Sequence, residues 1–316
     1  MTPFDRMKAD VVNRQLCLGC GACAAVCPVN TIEAGEFPCL KGDCTGCGAC
    51  YRSCPQLQRA DVAEEGMLVA FSARARDTRI VGQDGGAVTA LLASLLETGV
   101  LDCAVVVGSE PSWRPVAKVA KSPEEVMKCG RSKYSRCPVF PVLAEACASG
   151  CSMGFVGLPC QIRGLRVLQE RFPGGIFSRV KLAVGLFCSS AFRYEFFTEI
   201  VEEKFGIKLE EVTKFDIDRK SVLCFTPDGA HRIPLEIALS YRAPGCRVCD
   251  DFSARYADIS VGSAGSRTGM SSVVIRNQTG MDTLKIVRDA LVISDDVDMD
   301  KIRRISSSKK FPRNPP

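Results

Sequence analysis

Two textures divide the chain. Up to about Leu57 the chain carries a repeat, and its stretch from Gln15 to Ile32 is full of Gly, Cys, Pro and Asn. Residues 58–66 are polar and read as a linker. From Met67 onward, short apolar runs alternate with helical stretches. Leu68 to Ala73, Cys103 to Val107, Phe155 to Gly157 and Leu182 to Phe187 predict strands. Helices are predicted over Ala87 to Thr98, Gln161 to about Glu170, and about Tyr194 to Lys204. This alternation predicts a sheet covered by helices. Val222 to Thr226 and His231 to Pro234 flank Asp228-Gly229, a hairpin signal that places His231 beside a turn. Residues 295–316 run from Asp-rich to Lys/Arg-rich without an apolar period, which predicts a charged, mobile tail.

Composition narrows the function. With 316 residues, 46% of them hydrophobic and 24% charged, the chain can bury a real core. It holds 19 cysteines and one histidine. One histidine excludes a multi-histidine metal site within the chain, and a Ser-His or Cys-His nucleophile would rest on His231 alone. The net charge of +5 comes from 301–316, which carries six Lys or Arg and no acid. The remaining body is near neutral, which argues against nucleic acid as a partner. Asp5, Arg6, Lys8 and Asp10 interrupt the start, so no secretory leader is expected there. No apolar run reaches the ~18 residues of a membrane span. The expectation is a cytoplasmic protein, or one peripheral on a membrane complex. Thiols stay reduced there, which favours metal ligands over disulfides.

The cysteines at the start are ordered. Cys17-Leu-Gly-Cys20-Gly-Ala-Cys23-Ala-Ala-Val-Cys27-Pro28 is followed by Cys44-Thr-Gly-Cys47-Gly-Ala-Cys50-Tyr-Arg-Ser-Cys54-Pro55. Both read C-x2-C-x2-C-x3-C-P, the ferredoxin run in which the fourth cysteine ligates the other cluster. Cys17, Cys20, Cys23 and Cys54 are thus assigned to one 4Fe–4S cluster, and Cys44, Cys47, Cys50 and Cys27 to a second. Glycines 19, 21, 46 and 48 keep the loops tight and free their N–H groups. Zinc ribbons use paired C-x2-C knuckles, not triplets with a distant partner. Cys39 lies outside both runs and reads as a bystander, with replacement of Cys44 as a ligand in a less regular arrangement as the alternative. The expected fold class is α/β: a bacterial-ferredoxin-like module with two 4Fe–4S clusters over 1–57, then an α/β domain with a mixed sheet over 67–294.

Other signals are weaker alone. Gln83-Asp84-Gly85-Gly86-Ala87-Val88-Thr89 opens a helix with glycines and could cradle an anion on backbone N–H groups. It is not G-x-G-x-x-G, and an ordinary helix start fits the spacing equally. Arg131-Ser132-Lys133-Tyr134 offers two cations and a ring for phosphate contact or stacking. Cys160 and Cys188 end predicted strands, where α/β folds place ligands. With Cys246 and Cys249 they could hold a third cluster. Cys103, Cys129, Cys137, Cys147, Cys151 and Cys224 read better as buried apolar thiols.

Several segments occur in a telling order: Gln83 to Leu92, Ser132 to Tyr134, Phe155 to Gln161, Gly185 to Cys188, Cys246 to Phe252 and Ala257 to Ser266. Over roughly 67–290 the chain resembles the beta-subunit family of coenzyme F-420-reducing hydrogenase and related dehydrogenases. The fused two-cluster module resembles the input subunit of F-420H2 dehydrogenases. The resemblance implies FAD, a third 4Fe–4S cluster on Cys160, Cys188, Cys246 and Cys249, and F-420 as substrate. It implies FAD contacts at Gln83 to Thr89, at Ser132, Lys133 and Tyr134, and at Ser260, Gly262, Gly265 and Ser266. Charge alone suggests Arg131, Lys133 and Arg163 for the anionic tail of F-420.

The implied activity is oxidation of F-420H2 by hydride exchange with the flavin, with single electrons passed through clusters to a partner. The hydride chemistry needs no catalytic side chain, in keeping with a single histidine. The partner would be a membrane-bound dehydrogenase core, a hydrogenase or a ferredoxin-like acceptor. Two alternatives keep the fold: an electron-transfer subunit of another complex, such as a hydrogenase or formate dehydrogenase, and a ferredoxin-dependent reductase of a different substrate.

Overall fold

The computed structural model describes residues 1–58 and 66–309. Most of the expected linker therefore lies outside the described residues.

The N-terminal module starts with helix α1 (Pro3–Met7). The Thr2 hydroxyl accepts the Asp5 N–H at 3.1 Å, and the Asp5 carboxylate accepts the Thr2 N–H at 2.9 Å, a reciprocal cap. Each cysteine run then makes a loop and a short helix, α2 (Ala22–Ala25) and α3 (Ala49–Ser53). Strands β1 (Ile32–Glu33) and β2 (Cys39–Leu40) pair antiparallel between the runs. Phe4, Met7, Val11 and Ile32 form a small core with Cys50 and Cys54.

The larger part is built on a mixed eight-stranded sheet. Its strands are β3 (Val69–Ala75), β4 (Cys103–Ser109), β5 (Pro115–Ala120), β6 (Met153–Gly157), β7 (Val180–Leu186), β11 (Ile259–Gly262), β12 (Ser271–Ile275) and β13 (Leu291–Ser294). Their order is β13-β3-β12-β11-β7-β6-β4-β5. The centre, β4-β6-β7-β11, is parallel, and the strands outside it pair antiparallel. A parallel centre needs cover on both faces. Helices α4 (Ala87–Glu97) and α9 (Gln278–Val287) share one core with the sheet, and α6 (Phe140–Ala148) and α7 (Pro159–Arg171) share the other. α5 (Pro123–Lys128) packs beside α4.

A second sheet stands apart: β8 (Lys214–Ile217), β9 (Ser221–Thr226) and β10 (Gly229–Pro234), ordered β10-β9-β8. The predicted hairpin is there, with His231 exposed and bonded to Thr226 at 3.1 Å. Helix α8 (Leu235–Ser240) and a helical stretch at Phe196–Lys204 cover it. That stretch is wound wider than an α-helix, with i→i+5 bonds such as Phe205 N–H to Ile200 O. Phe192, Phe196, Phe197, Phe215 and Trp113 fill the core between them, and the Trp113 indole N–H donates to Val212 O at 3.0 Å.

The tail departs from expectation. Met299–Ser308 forms helix α10, and 310–316 lie outside the described residues. Asp298 caps it by accepting the Lys301 N–H at 2.8 Å. Ile302, one turn in, is buried against Gly265, with Ile305 three residues on. Two isoleucines within a charged stretch are too few to register as a period, yet they suffice to dock the helix.

Candidate functional site

The cysteine loops of the N-terminal module fold as two copies of one device. Gly19, Gly21, Gly46 and Gly48 all take left-handed backbone, with φ of 62°, 81°, 74° and 75°. At Gly46 the backbone alone demands glycine, since nothing lies within 4 Å of a Cβ there. Cys54 of the second run joins the first three sulfurs, whereas Cys27 contacts Thr31 at 3.6 Å and is not brought within reach of Cys44, Cys47 and Cys50. Cys17, Cys20, Cys23 and Cys54 line one small cavity. Cys20 and Cys23 each lie within electrostatic reach of Cys17 and Cys54, and Cys50 of Cys44 and Cys47. Burial pushes the Cys20 thiol up to about 12 and Cys54 up to about 11. Thiols so desolvated stay neutral unless a cation joins them, and coordination to a metal deprotonates a thiol outright. Cys39 is exposed on β2, bonded to Glu33 at 3.5 Å, apart from both groups.

The third group assembles from distant segments. Cys160 lies in the first turn of α7 just past β6, and Cys188 lies just past β7. Cys246 and Cys249 come from the loop before β11. The other three thiols all act on Cys160, and burial places its pKa far above the ordinary thiol value. Burial pushes Cys188 up to about 12. The Ala191 N–H donates to Cys246 Sγ at 3.4 Å. Among the described residues, no three His, Cys, Asp or Glu side chains converge on one ion-sized point.

The three groups form a series. Cys23 lies within electrostatic reach of Cys50, and Cys160 within reach of Cys20. The backbones meet closely as well: a Cβ on Gly245 would fall 2.5 Å from Cys17 O. Arg136, from the larger part, donates to Cys17 O at 3.0 Å and pairs with Glu36 at 2.8 Å. Arg163 donates to Gln56 at 3.0 Å and lies 3.4 Å from Asp250. The Phe140 N–H donates to Cys20 O at 3.2 Å.

A cavity of about 1340 Å³ opens between the carboxyl ends of the parallel strands and the second sheet. This exceeds the ~300–1,000 Å³ of an ordinary small-molecule pocket. Its wall includes Gly157, Leu186 and Gly262 from strand ends, Cys188 of the third group, and Asp216 to Arg219 from the second sheet. Of the predicted contacts, Gln83, Asp84, Gly86, Ala87, Val88, Thr89, Ser132, Lys133, Tyr134 and Gly262 line it. Gly86 caps α4 without a side-chain bond, leaving the N–H groups of the first turn open to an anion. Its φ of 69° suits glycine, and a Cβ would meet Ile80 at 2.9 Å. Gln83 joins two loops: its amide donates to Phe215 O at 3.0 Å and accepts the Ser132 N–H at 3.2 Å. Burial, and then the nearby Asp216, hold the Asp84 carboxyl above its usual range.

Other predicted contacts stand elsewhere or are already engaged. The Gly85 N–H donates to Ser271 Oγ at 3.2 Å, tying the loop to the sheet. Ser260 is fully buried, bonding Ala254 O at 3.0 Å and accepting from Arg276 at 2.7 Å. Gly265 makes room for Ile302, and Ser266 bonds Ser72 and Ser272, both at 2.7 Å. The Lys133 ammonium faces the carbonyls of Cys129, Gly130 and Arg131, and burial lowers its pKa to about 8. Arg131 lines the cavity but donates to Thr213 O. Arg163, expected near the flavin, instead ties the two parts together. Cations that the sequence did not suggest are at the wall: Lys301 and Arg304 from α10, Arg219, and Arg242, whose buried Nε has no hydrogen-bond partner among the described residues.

No described helix is long and apolar enough to cross a membrane. Comparison with known proteins matches this architecture. The family model described as coenzyme F-420 hydrogenase/dehydrogenase, beta subunit, matches residues 70–144 with its N-terminal part and 151–298 with its C-terminal part. A 4Fe–4S binding domain matches residues 10–33. The chain is 36% identical to the beta subunit of coenzyme F-420 hydrogenase from Methanothermobacter thermautotrophicus, over 68% of this chain and 79% of that one. It is 29% identical to a subunit of the F-420H2 dehydrogenase of Methanosarcina mazei, over 91% of this chain and 87% of that one. It is 34% identical to the coenzyme F-420-dependent sulfite reductase of Methanocaldococcus jannaschii, over 95% of this chain but half the length of that relative. A chain of the F-420-reducing [NiFe] hydrogenase complex from Methanosarcina barkeri superposes with a TM-score of 0.72 at 32% identity, covering 78% of this chain and 90% of that chain. With a 4Fe–4S binding run at its start and both halves of the family domain behind it, the chain belongs to the coenzyme F-420 hydrogenase/dehydrogenase beta-subunit family.

Proposed function

We propose that the chain is a flavin-dependent oxidoreductase that oxidises F-420H2 and delivers electrons singly, through three 4Fe–4S clusters, to a partner complex. The observation that carries this reading is one continuous arrangement. Cys188 stands in the cavity wall, its group adjoins the group of Cys17, Cys20, Cys23 and Cys54, and that group adjoins Cys44, Cys47 and Cys50. The second run also brings the series to the surface, since Cys47 is exposed.

The residues fit the implied groups. Two sets of four soft donors, and the trio Cys44, Cys47 and Cys50 to which the repeat would add Cys27, suit iron–sulfur clusters, and the desolvated thiols among them call for a cationic partner. The cavity has volume for more than one ordinary ligand, an open helix N-terminus for a pyrophosphate, and cations at its wall for an acidic tail. When bound, FAD and F-420 supply the hydride chemistry, and the clusters supply one-electron steps. The chain's own residues align, shield and shape. Gln83 locks the loop of α4 against the loop of Ser132. Lys133 holds its own turn closed. Tyr134 stays protonated because burial raises its pKa. Arg136 and Arg163 hold the first cysteine group against the third. Orientation of two rings in one cavity is the protein's main catalytic contribution.

The test is anaerobic. Reduced F-420 is added to protein loaded with iron and flavin, and absorbance is followed. Prompt bleaching with appearance of oxidised F-420 is expected. No bleaching in protein that dithionite still reduces refutes the reading, and leaves an electron-transfer subunit of another complex or a reductase of a different substrate.

A further inference from the structure

We propose that Lys309 is a positioning residue that sets the reduction potential of the cluster held by Cys160, Cys188, Cys246 and Cys249. The proposal rests on the cluster assignment made above. Lys309 follows α10, and its side chain turns inward, leaving the residue 7% exposed. Its ammonium donates to Cys188 O at 2.6 Å and to Asp251 O at 2.9 Å. One acceptor belongs to a ligand residue, and the other lies two residues beyond Cys249. A single cation thus bridges the two loops that carry three of the four thiols. Those thiols dominate its electrostatic surroundings, in the order Cys188, Cys249, Cys160, Cys246.

The Asp251 carboxylate lies within electrostatic reach of the ammonium without forming an ion pair with it. Among the described residues no carboxylate pairs with Lys309. Asp250 is engaged by Arg255 at 3.0 Å and by Arg163 at 3.4 Å. The Asp251 carboxylate accepts the Arg255 N–H at 3.3 and 3.2 Å. Burial of a lysine is unfavourable unless the charge is compensated. Here two carbonyls and an electron-rich group supply that compensation.

A cluster becomes more negative by one charge on reduction. A fixed cation beside it favours the reduced form and raises its potential. At an effective dielectric of about 20, a unit charge anywhere within about 12 Å shifts a one-electron equilibrium by at least on the order of tenfold, and the Lys309 ammonium touches the carbonyl of a ligand residue. The same α10 places Lys301 and Arg304 at the cavity wall. One helix therefore closes the cavity and charges the first relay beyond it.

The test is an EPR-monitored redox titration of the full chain carrying its clusters. In Lys309→Gln, the reduced-to-oxidised ratio of the third cluster at fixed potential is expected to fall about tenfold, equivalent to about 59 mV for one electron. The two N-terminal clusters are expected to keep their midpoints, and Lys309→Arg to stay near the parent. An unchanged third midpoint in Lys309→Gln overturns the proposal. So does an equal shift in Lys309→Arg, which would make the effect one of packing. Loss of third-cluster iron in Lys309→Gln but not in Lys309→Arg would make Lys309 an anchor and also overturn it. A parent protein without the third signal overturns the cluster assignment and this proposal together.

Discussion

Arg136 ties the N-terminal module to the larger part through two bonds. Its guanidinium forks, one nitrogen donating to Cys17 O at 3.0 Å and the other pairing with Glu36 at 2.8 Å. The Arg136 side chain is 9% exposed and that of Glu36 33%. Arg136→Ala removes both bonds. Removing one partner of a fully buried pair costs about 3–5 kcal/mol. Glu36 is partly solvated, so its share is smaller. The orphaned Cys17 carbonyl adds about 1–3 kcal/mol. The net expectation is about 2 kcal/mol, or roughly a thirtyfold rise in the undocked population. The assay is hydrogen exchange at the Phe140 amide, whose bond to Cys20 O crosses the interface. It should exchange roughly thirtyfold faster in Arg136→Ala. Arg136→Lys should fall between, because lysine keeps the charge but cannot fork. A rate for Arg136→Ala within about twofold of the parent, under about 0.5 kcal/mol, would refute the reasoning. It would shift the credit to packing of Gly21 against Pro138 and Pro141.

Three other outcomes follow from the same geometry. Cys54→Ser should remove the cluster signal of the first run while sparing the second, and Cys27→Ser the reverse; EPR of the singly substituted proteins distinguishes this from in-run ligation. Gly86→Ala should cut flavin content at least about tenfold through a strained left-handed residue costing about 1–2 kcal/mol and a clash with Ile80, with retained flavin counting against the assigned anion site. Lys133 has a folded pKa of about 8, below the unfolded value of about 10.4. Over that window the unfolded chain binds more protons, so this residue makes stability rise with pH from about 8 to about 10.4. Denaturant midpoints for the parent and Lys133→Met should diverge with pH in that window, and parallel curves would contradict it.

What the sequence announces is what is local or repeated. The N-terminal runs are legible because spacing within a few residues fixes the loop, and glycines 19, 21, 46 and 48 mark its left-handed turns. Cys160 and Cys188 draw notice because each follows an apolar strand within three residues, Cys160 in the first turn of α7 rather than at the strand end the sequence suggested. The cavity is only half legible. Gln83 to Thr89 carries a helix-start signature, and all but Gly85 line the wall. Ser260, Gly265 and Ser266 share the small, polar character of pocket residues, yet they serve hydrogen bonds within the sheet and the seat of Ile302. Charge alone misplaces Arg163, because nothing local distinguishes an arginine facing a ligand from one facing Asp250 and Gln56. α10 escapes notice because its docking face is two isoleucines in a basic stretch. Lys309 escapes with it, since its partners are backbone carbonyls more than fifty residues away.

The central claim is that electrons leave the cavity through the Cys160 group before reaching the N-terminal module. Rapid freeze-quench EPR after mixing with F-420H2, on the parent and on Cys160→Ala, tests it most directly. In the parent, with F-420H2 in excess and two electrons arriving per coenzyme, all three clusters should become reduced over successive turnovers. In Cys160→Ala, flavin absorbance should bleach at the parent rate while the two N-terminal clusters stay oxidised. Full-rate reduction of those clusters without the Cys160 group would contradict the account.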